Sequence, residues 1–455
     1  MKMLVRSGTS PLMNFSPGQL IARNAFGGNL GNLAYQFGVY RTLTTKKTEL
    51  LPDYYSVDRG RITSKDAEMI NKEYSAYICP MANGFREGFV NHLIKYTEFI
   101  KNLEIPFVVA GIGVSTDIES NGYENFSFDD EVSNFINSIR ENGTIIGVRG
   151  QTTGNYLSNL GFKEKKDFMV IGCPAMFSFG NHLKIRNTVN HKKKNQKTQE
   201  NSVISINSGL YSQNINNFIS KTMKEFPNYY FIPQWRSELR LTYIGRPKLK
   251  YESEVYPVSM ESLPYKNNRV RAPINAQGWI NFLKKVDLSF GARLHGNIMA
   301  TISGTPSILI VKDGRMRELA EFHNLTHITE KELIKFNSLI EIIEKVDFKS
   351  PEKVHEDRFK NYLKFWRKNK IETVYDKNFN LENLYIDSLM KKEDSLLPIE
   401  TISNLKKEEI NKRLKDFKTA KKSWKKEIHE NNEINKLLSS TKLYNKILNH
   451  LKNLI

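Results

Sequence analysis

From Gly27 to Gly180 two hydrophobic periods alternate along the chain. "GNLAYQFGVYRTL" places Leu33, Phe37 and Tyr40 on one face of a helix, and "VNHLIKYTEFIKNL" does the same with Leu93, Tyr96, Ile100 and Leu103. "IPFVVAGIGVS" is an unbroken apolar run with β-branched residues, the mark of a strand covered on both faces. "FDDEVSNFINSIRENG" opens with acids and closes at Gly143, which suits a helix dipole and its C-terminal stop. "TIIGVRG" then predicts a strand, "QTTGNYLSNLG" a short helix and "DFMVIGCP" a further strand. Strands separated by helices of this length predict a parallel sheet with helices on both faces.

The pattern breaks at "HLKIRNTVNHKKKNQKTQENS", residues 182–202, which is polar and basic and reads as a linker or loop. Its lysine run, Lys192 to Lys194, reads as solvated. Alternation then resumes. "SVISINS", "YYFIPQW", "DLSFGARLH" and "PSILIVKD" predict strands; "NINNFISKTMKEF", "NAQGWINFLKKV", "GNIMATISG" and "RMRELAEFHNL" predict helices. The expected fold is α/β: two facing Rossmann-like domains, 1–181 and 203–347, with ligands outside the carboxyl ends of the strands. A helical basic extension, 348–455, follows; from Thr401 onward it holds 14 Lys and Arg against 6 Asp and Glu. Ile410, Leu414, Phe417, Trp424 and Ile428, and later Tyr444, Ile447, Leu448 and Leu451, follow helical spacing. Such stripes pack on the protein's own body, on a partner helix, or on an anionic membrane.

Charge sharpens the picture. The 455-residue chain carries a formal net charge of +19, which points to an acidic partner or substrate unless it serves solubility alone. The two cysteines, each in a Cys-Pro pair after an apolar stretch, give neither a disulfide scaffold nor a zinc site and read as buried thiols in a reducing compartment. No signal-peptide core or membrane-spanning run is visible, so a cytoplasmic protein is expected.

The candidate chemistry lies at strand ends. Arg149 ends the "IIGVRG" strand, and Arg293 and His295 end "LSFGARLH". If both ends face one cleft, two guanidinium groups meet an imidazole. Guanidinium forks hold carboxylate and phosphate, and an imidazole takes a proton from a hydroxyl. Gly291, Ala292 and Gly296 would let a ligand approach the backbone. "VVAGIGVSTD" lacks the third glycine of a dinucleotide loop and ends near Asp117. Asp313 is placed to orient an arginine or His295, and Arg315 and Arg317 to add positive charge. Gln234 and Glu238 suit polar contacts to a sugar. Glu318, Glu321 and His323 read as helix-surface residues, and no histidine shows metal-ligand spacing with carboxylates.

The order "FGGNLGNLAYQFG", "VVAGIGVS", "IIGVRGQTT", "VIGCPAM", "FIPQ", "FGARLHGNIMATISGTPSILI" and "DGRMRELAEF" resembles the polysaccharide pyruvyl transferase family from Gly27 to His323. The chain departs from many members at Gly31-Asn32, where they carry Gly-Asp, and at "ICPMANGFREG", where they are glycine-rich. The resemblance implies two GT-B-like domains. It implies transfer of pyruvate from phosphoenolpyruvate to two hydroxyls of a cell-surface saccharide or its precursor as a cyclic ketal. Donor binding falls on Arg149, Arg293, Leu294 and His295, and catalysis on His295. The proton donor to carbon is unassigned, with Asp117 and Glu238 as candidates. A lipid-linked acceptor would suit a basic extension at the inner membrane face. Two other functions are compatible with the residues: glycosyl transfer from a nucleotide sugar on the same architecture, and non-catalytic polyanion binding. No nucleic-acid module is recognisable.

Overall fold

Each of two parallel sheets repeats the alternation read from the sequence. The structure, a computed structural model, describes residues 1–187, 200–390 and 397–452, with side chains of the last helix described to residue 430. Lys192 to Lys194, and the side chains of Tyr444, Ile447, Leu448 and Leu451, lie outside the described residues.

The first sheet holds β1 (Lys2–Val5), β2 (Glu49–Pro52), β3 (Ala76–Pro80), β4 (Phe107–Ile112), β5 (Ile146–Val148) and β6 (Phe168–Val170), in the order β2-β1-β3-β4-β5-β6. The apolar β4 is buried at every position between β3 and β5, as its composition requires. β1 escapes pattern reading because four residues, KMLV, are too few to show a period. The second half of the chain supplies β7 (Ile204–Asn207), β8 (Tyr229–Phe231), β9 (Arg271–Ala272), β10 (Leu288–Gly291), β11 (Ser307–Val311) and β12 (His327–Thr329). Five of these form a parallel sheet ordered β12-β11-β10-β7-β8, while β9 pairs antiparallel with β13 (Ile399–Glu400). The strand order reverses between β1 and β3 in one sheet and between β7 and β10 in the other. Crevices at such reversals are where open α/β sheets bind ligands.

The two sheets share one apolar core, which joins Val5 and Ile78 of the first to Leu309 and Val311 of the second. Helix Asn32–Leu43 shows the consequence. Its sequence predicts one apolar face, yet every residue after Asn32 is buried. It packs against both the Ala276–Leu283 and Leu294–Ile302 helices of the other half. Its polar residues are therefore paired inside: Gln36 Nε2 donates to Tyr55 Oη at 2.6 Å, and Arg41 Nη2 to Asp387 Oδ2 at 3.0 Å.

The segment after the second sheet returns to the first. Helix Glu352–Lys368 buries Phe359, Tyr362, Phe365 and Trp366 in the shared core, and Asn361 Nδ2 donates to the Val170 carbonyl at 2.6 Å. Helix Lys407–Lys452 then lies against helix Pro17–Arg23. Its apolar stripe is taken up by the protein's own body: Phe417 joins a cluster with Leu20, Ile21, Leu239 and Tyr243, and Leu414 packs beside it. Trp424 lies under the guanidinium groups of Arg23 and Arg61, each 4.7 Å from its ring centroid. Among the described residues no helix is long and apolar enough to cross a membrane.

Asp416 pins this helix. It accepts from Ser16 Oγ at 2.8 Å and from the Gly18 N–H and Tyr243 Oη at 2.9 Å each. Asp416→Ala leaves three donors without that partner, at a cost of about 1–3 kcal/mol. Limited proteolysis is expected to cut the variant within residues 407–430 faster than the parent. An unchanged rate would mean the apolar stripe alone holds the helix.

Candidate active site at the domain interface

The turn after β10 is built by close backbone approach. Gly291 has φ +147°, and a Cβ there would lie 1.7 Å from the Asn207 carbonyl oxygen of β7. Asn207 Oδ1 accepts the Arg293 N–H at 2.8 Å. Asn297 Nδ2 donates to the carbonyls of Gly291 and Arg293, at 2.9 and 3.1 Å. The Arg-Leu-His triplet is thereby fixed at the β7/β10 crevice. The strand stops at Gly291, short of the expected His295. Arg293 caps helix Leu294–Ile302, so the positive end of that helix opens beside it. Leu294 points into the shared core and serves as its anchor.

Arg293 is 5% exposed. Its Nε donates to the Ser208 carbonyl at 2.6 Å, its Nη2 lies 3.6 Å from Glu238 Oε1, and its guanidinium sits 4.7 Å from the Trp235 ring centroid. Burial opposes its charge, but Tyr211, Glu238 and Tyr256 raise its pKa above the ordinary value. Glu238 is itself fully engaged. It accepts the N–H groups of Gln234 and Trp235 at 2.7 Å each, and the Tyr256 hydroxyl donates to its other oxygen. Glu238 is thus a brace for the Arg293 loop. The Gln234 carbonyl accepts the Leu30 N–H at 2.7 Å, tying the halves together, while its buried Nε2 faces Gly296 with no hydrogen-bond partner.

His295 reaches across the interface. Its ring centroid is 5.7 Å from that of Tyr35, and its Nε2 is 3.8 Å from Cys173 Sγ. Arg149, 3% exposed at the end of β5, donates from Nη2 to the Gly111 carbonyl at 3.3 Å, and its Nε has no hydrogen-bond partner among the described residues. Burial first, then the charges of Arg149 and Arg315, push the His295 pKa down to about 3. Burial lowers Arg149 to about 10, with Glu318 opposing. Arg315 is the link between the two clusters. Its charge is felt at His295 and Arg149, and also at Tyr211, which feels Arg293 as well. Asp313 caps helix Gly314–Phe322 through the Met316 N–H at 2.9 Å and pairs with Arg315 at 3.3 Å. It orients an arginine and makes no contact with His295 among the hydrogen bonds and ion pairs of the described residues.

The small residues do something other than admit a ligand to the backbone. A Cβ on Gly31 would lie 2.8 Å from His295 Nδ1, one on Gly113 2.3 Å from Arg149 Cδ, and one on Gly296 2.7 Å from Gln234 Nε2. The glycines make room for the site's own side chains. Asp117 has an exposed side chain, and its backbone carbonyl is what meets Gly314.

Two residues expected on the helix surface are buried. His323 Nε2 accepts the Cys173 N–H at 2.9 Å. Glu318 accepts the Thr153 N–H at 2.9 Å and the Thr153 hydroxyl at 3.0 Å, and it lies against Gly150, beside Arg149. Burial pushes its pKa up to about 7, against the pull of Arg149 and of Thr153. The available signal was spacing: Glu318 is three residues from Arg315 and four from Phe322, on one helix face. Among the described residues no three His, Cys, Asp or Glu side chains gather as metal ligands.

The profile of the family described as "Polysaccharide pyruvyl transferase" matches residues 35–313, more than half of the chain, and the chain belongs to that family. No curated protein matches the sequence. Solved structures with similar shape include UDP-GlcNAc 2-epimerase from Methanocaldococcus jannaschii, 13% identical over 80% of this chain and 100% of that one, with a TM-score of 0.41. UDP-GlcNAc 2-epimerase from Neisseria meningitidis bound to UDP-GlcNAc is 11% identical over 81% and 100% of the two chains, with a TM-score of 0.40.

Glu318 gives a pH-dependent prediction. Its folded pKa of about 7 stands above the ordinary 4.5, so the folded state binds more protons between these values. The stability it contributes is complete below 4.5 and is lost as pH rises through about 7. Glu318→Gln keeps a partner for Thr153 and removes the titration. Thermal midpoints of the variant, measured across that window, are expected to fall less steeply with pH than those of the parent. Parallel curves would show that Glu318 is ionised throughout.

Proposed function

We propose that this member of the polysaccharide pyruvyl transferase family transfers the pyruvyl unit of phosphoenolpyruvate to two hydroxyls of a saccharide, forming a cyclic ketal. The acceptor is a cell-surface polysaccharide or its precursor. The observation that carries the reading is a pair of nearly inaccessible arginines, Arg149 after β5 and Arg293 at the turn after β10, with the His295 imidazole at the same interface. Arg149 Nε and Arg293 Nη2 are buried donors without hydrogen-bond partners among the described residues. Buried orphan donors cost about 1–3 kcal/mol each. A donor bearing both carboxylate and phosphate satisfies them and neutralises the guanidinium charge.

The same neutralisation prepares the base. Burial is the first cause of the lowered His295 pKa, and the charges of Arg149 and Arg315 that add to it are the ones a dianionic donor offsets, so its basicity rises as the donor binds. A proton added to the methylene carbon of phosphoenolpyruvate makes the adjacent carbon electrophilic. A saccharide hydroxyl oxygen bonds to that carbon while His295 takes its proton. The carbon–oxygen bond to phosphate breaks, and a second hydroxyl closes the ring. Of the two hydroxyl protons lost, one is balanced by the new methyl group and the other leaves with phosphate. Glu318 supports the first step better than Asp117 or Glu238. It is buried beside Gly150 and carries a proton near neutrality, whereas Asp117 is exposed and Glu238 is held by three donors. Exposed Lys418, Lys421, Lys422, Lys425 and Lys426 on the docked helix give a cationic face suited to an acceptor carried on an anionic membrane.

Thermal unfolding with phosphoenolpyruvate, UDP-sugars and GDP-sugars tests the donor. A ligand at 100 times its dissociation constant adds about 2.7 kcal/mol of stability. Phosphoenolpyruvate alone is expected to raise the midpoint, with the rise lost in Arg149→Ala and Arg293→Ala. His295→Ala is expected to keep the rise and lose about 100-fold or more in turnover. Stabilisation by a nucleotide sugar, with phosphoenolpyruvate silent, would replace pyruvyl transfer with glycosyl transfer.

A further inference from the structure

Beside Arg293 lies a cavity of about 540 Å³, within the range of about 300–1,000 Å³ that receives small organic ligands. Tyr211, Trp235, Ser237, Glu238, Tyr251 and Tyr256 line it. Two of these aromatics are unusually open: Trp235 is 46% exposed and Tyr251 59%, while Trp279 and Trp366 are fully buried. The Trp235 platform is fixed rather than loose. Glu238 holds its backbone N–H, and the Arg293 guanidinium rests on its ring. We infer that this cavity is the acceptor subsite, in which a neutral saccharide ring lies against Trp235 and Tyr251 and turns its reacting hydroxyls past Arg293 toward the adjoining donor site and His295.

The inference rests on the pyruvyl-transfer reading and adds where the acceptor binds. The two neighbouring regions differ in chemistry. Arg149 and Arg315 lie with His295, where an anion belongs. The cavity offers four aromatic rings and the hydroxyls of Ser237, Tyr211 and Tyr251, while its carboxylate, Glu238, is taken up by Gln234, Trp235, Tyr256 and Arg293. The cavity's other arginine, Arg236, is committed, with Nε donating to the Ile21 carbonyl at 2.8 Å. A saccharide presents C–H faces for aromatic rings and hydroxyls for the polar groups, and so matches this lining better than a nucleoside diphosphate. Tyr211 sets the position. Its ring lies 4.4 Å below Lys312 Nζ, and it stands in the fields of both Arg293 and Arg315. A ring seated beside it borders the donor site.

Tyr251 is the residue to test, because it stands at the open rim and has no ion pair with the cationic cluster. The full-length protein is applied to an array of immobilised neutral and N-acetylated oligosaccharides, beside Tyr251→Ala and Tyr251→Phe, with UDP titrated separately. Glycan binding is expected to fall at least tenfold in Tyr251→Ala and to return in Tyr251→Phe. The midpoint rise given by phosphoenolpyruvate is expected to be the same in all three proteins. Equal glycan binding in Tyr251→Ala, or no glycan bound by the parent, overturns the subsite. So does UDP binding that depends on Tyr251, which would make the cavity a nucleotide pocket. Failure of phosphoenolpyruvate to stabilise the parent would overturn the donor assignment instead, and is read in a separate measurement.

Discussion

The structure depends on keeping guanidinium groups out of water around an imidazole that carries no charge. Arg149 and Arg293 are nearly inaccessible, and burying a cation is costly unless partners replace its hydration. Arg293 has such partners in Ser208, Glu238 and the Trp235 ring. Among the described residues Arg149 makes a long bond to the Gly111 carbonyl and stands in the field of Glu318, a carboxyl itself pushed toward neutrality. The imbalance leaves a positive field, which adds to burial in pushing the His295 pKa down.

Everything around the site serves to hold that unfavourable arrangement still. The asparagine brace from Asn207 and Asn297 fixes the Arg293 turn from beneath. Gly31 brings the first half within reach of His295, and Gly113 lets Arg149 fold across the end of β4. The halves cannot part freely, because one apolar core crosses between them and helix Asn32–Leu43 is buried in it on all sides. The chain then returns from the second half to the first through helix Glu352–Lys368, adding a covalent strap to the interface. The positive field is thus paid for by packing far from the chemistry.

Much of this was legible in the residues, and for reasons that explain what was not. The alternation of apolar runs with amphipathic stretches identifies both sheets, because parallel strands and their helices carry unmistakable periods. It also places Arg149 at a strand end, while Arg293 and His295, expected on the strand, fall at the start of the helix that follows it. Short or doubly covered elements have no such period, so β1 and the full burial of helix Asn32–Leu43 were out of reach. Glu318 and His323 looked like surface residues because burial there is imposed by the other domain, at Thr153 and Cys173, more than a hundred positions away. The glycines were visible, but the side chains that fill the space beside them were not.

The most direct test of the account is the protonation of His295, followed by NMR of ring-labelled histidine with His295→Asn for assignment. Near pH 5, between the folded value of about 3 and the ordinary 6.5, the ring is predicted to be neutral in the free protein. Adding phosphoenolpyruvate is predicted to move it toward the protonated form at that same pH, as Arg149 and Arg315 are neutralised. A ring already protonated without the donor, or one that stays neutral when the donor is bound, would contradict the claim that the guanidinium charges add to burial in holding this histidine neutral.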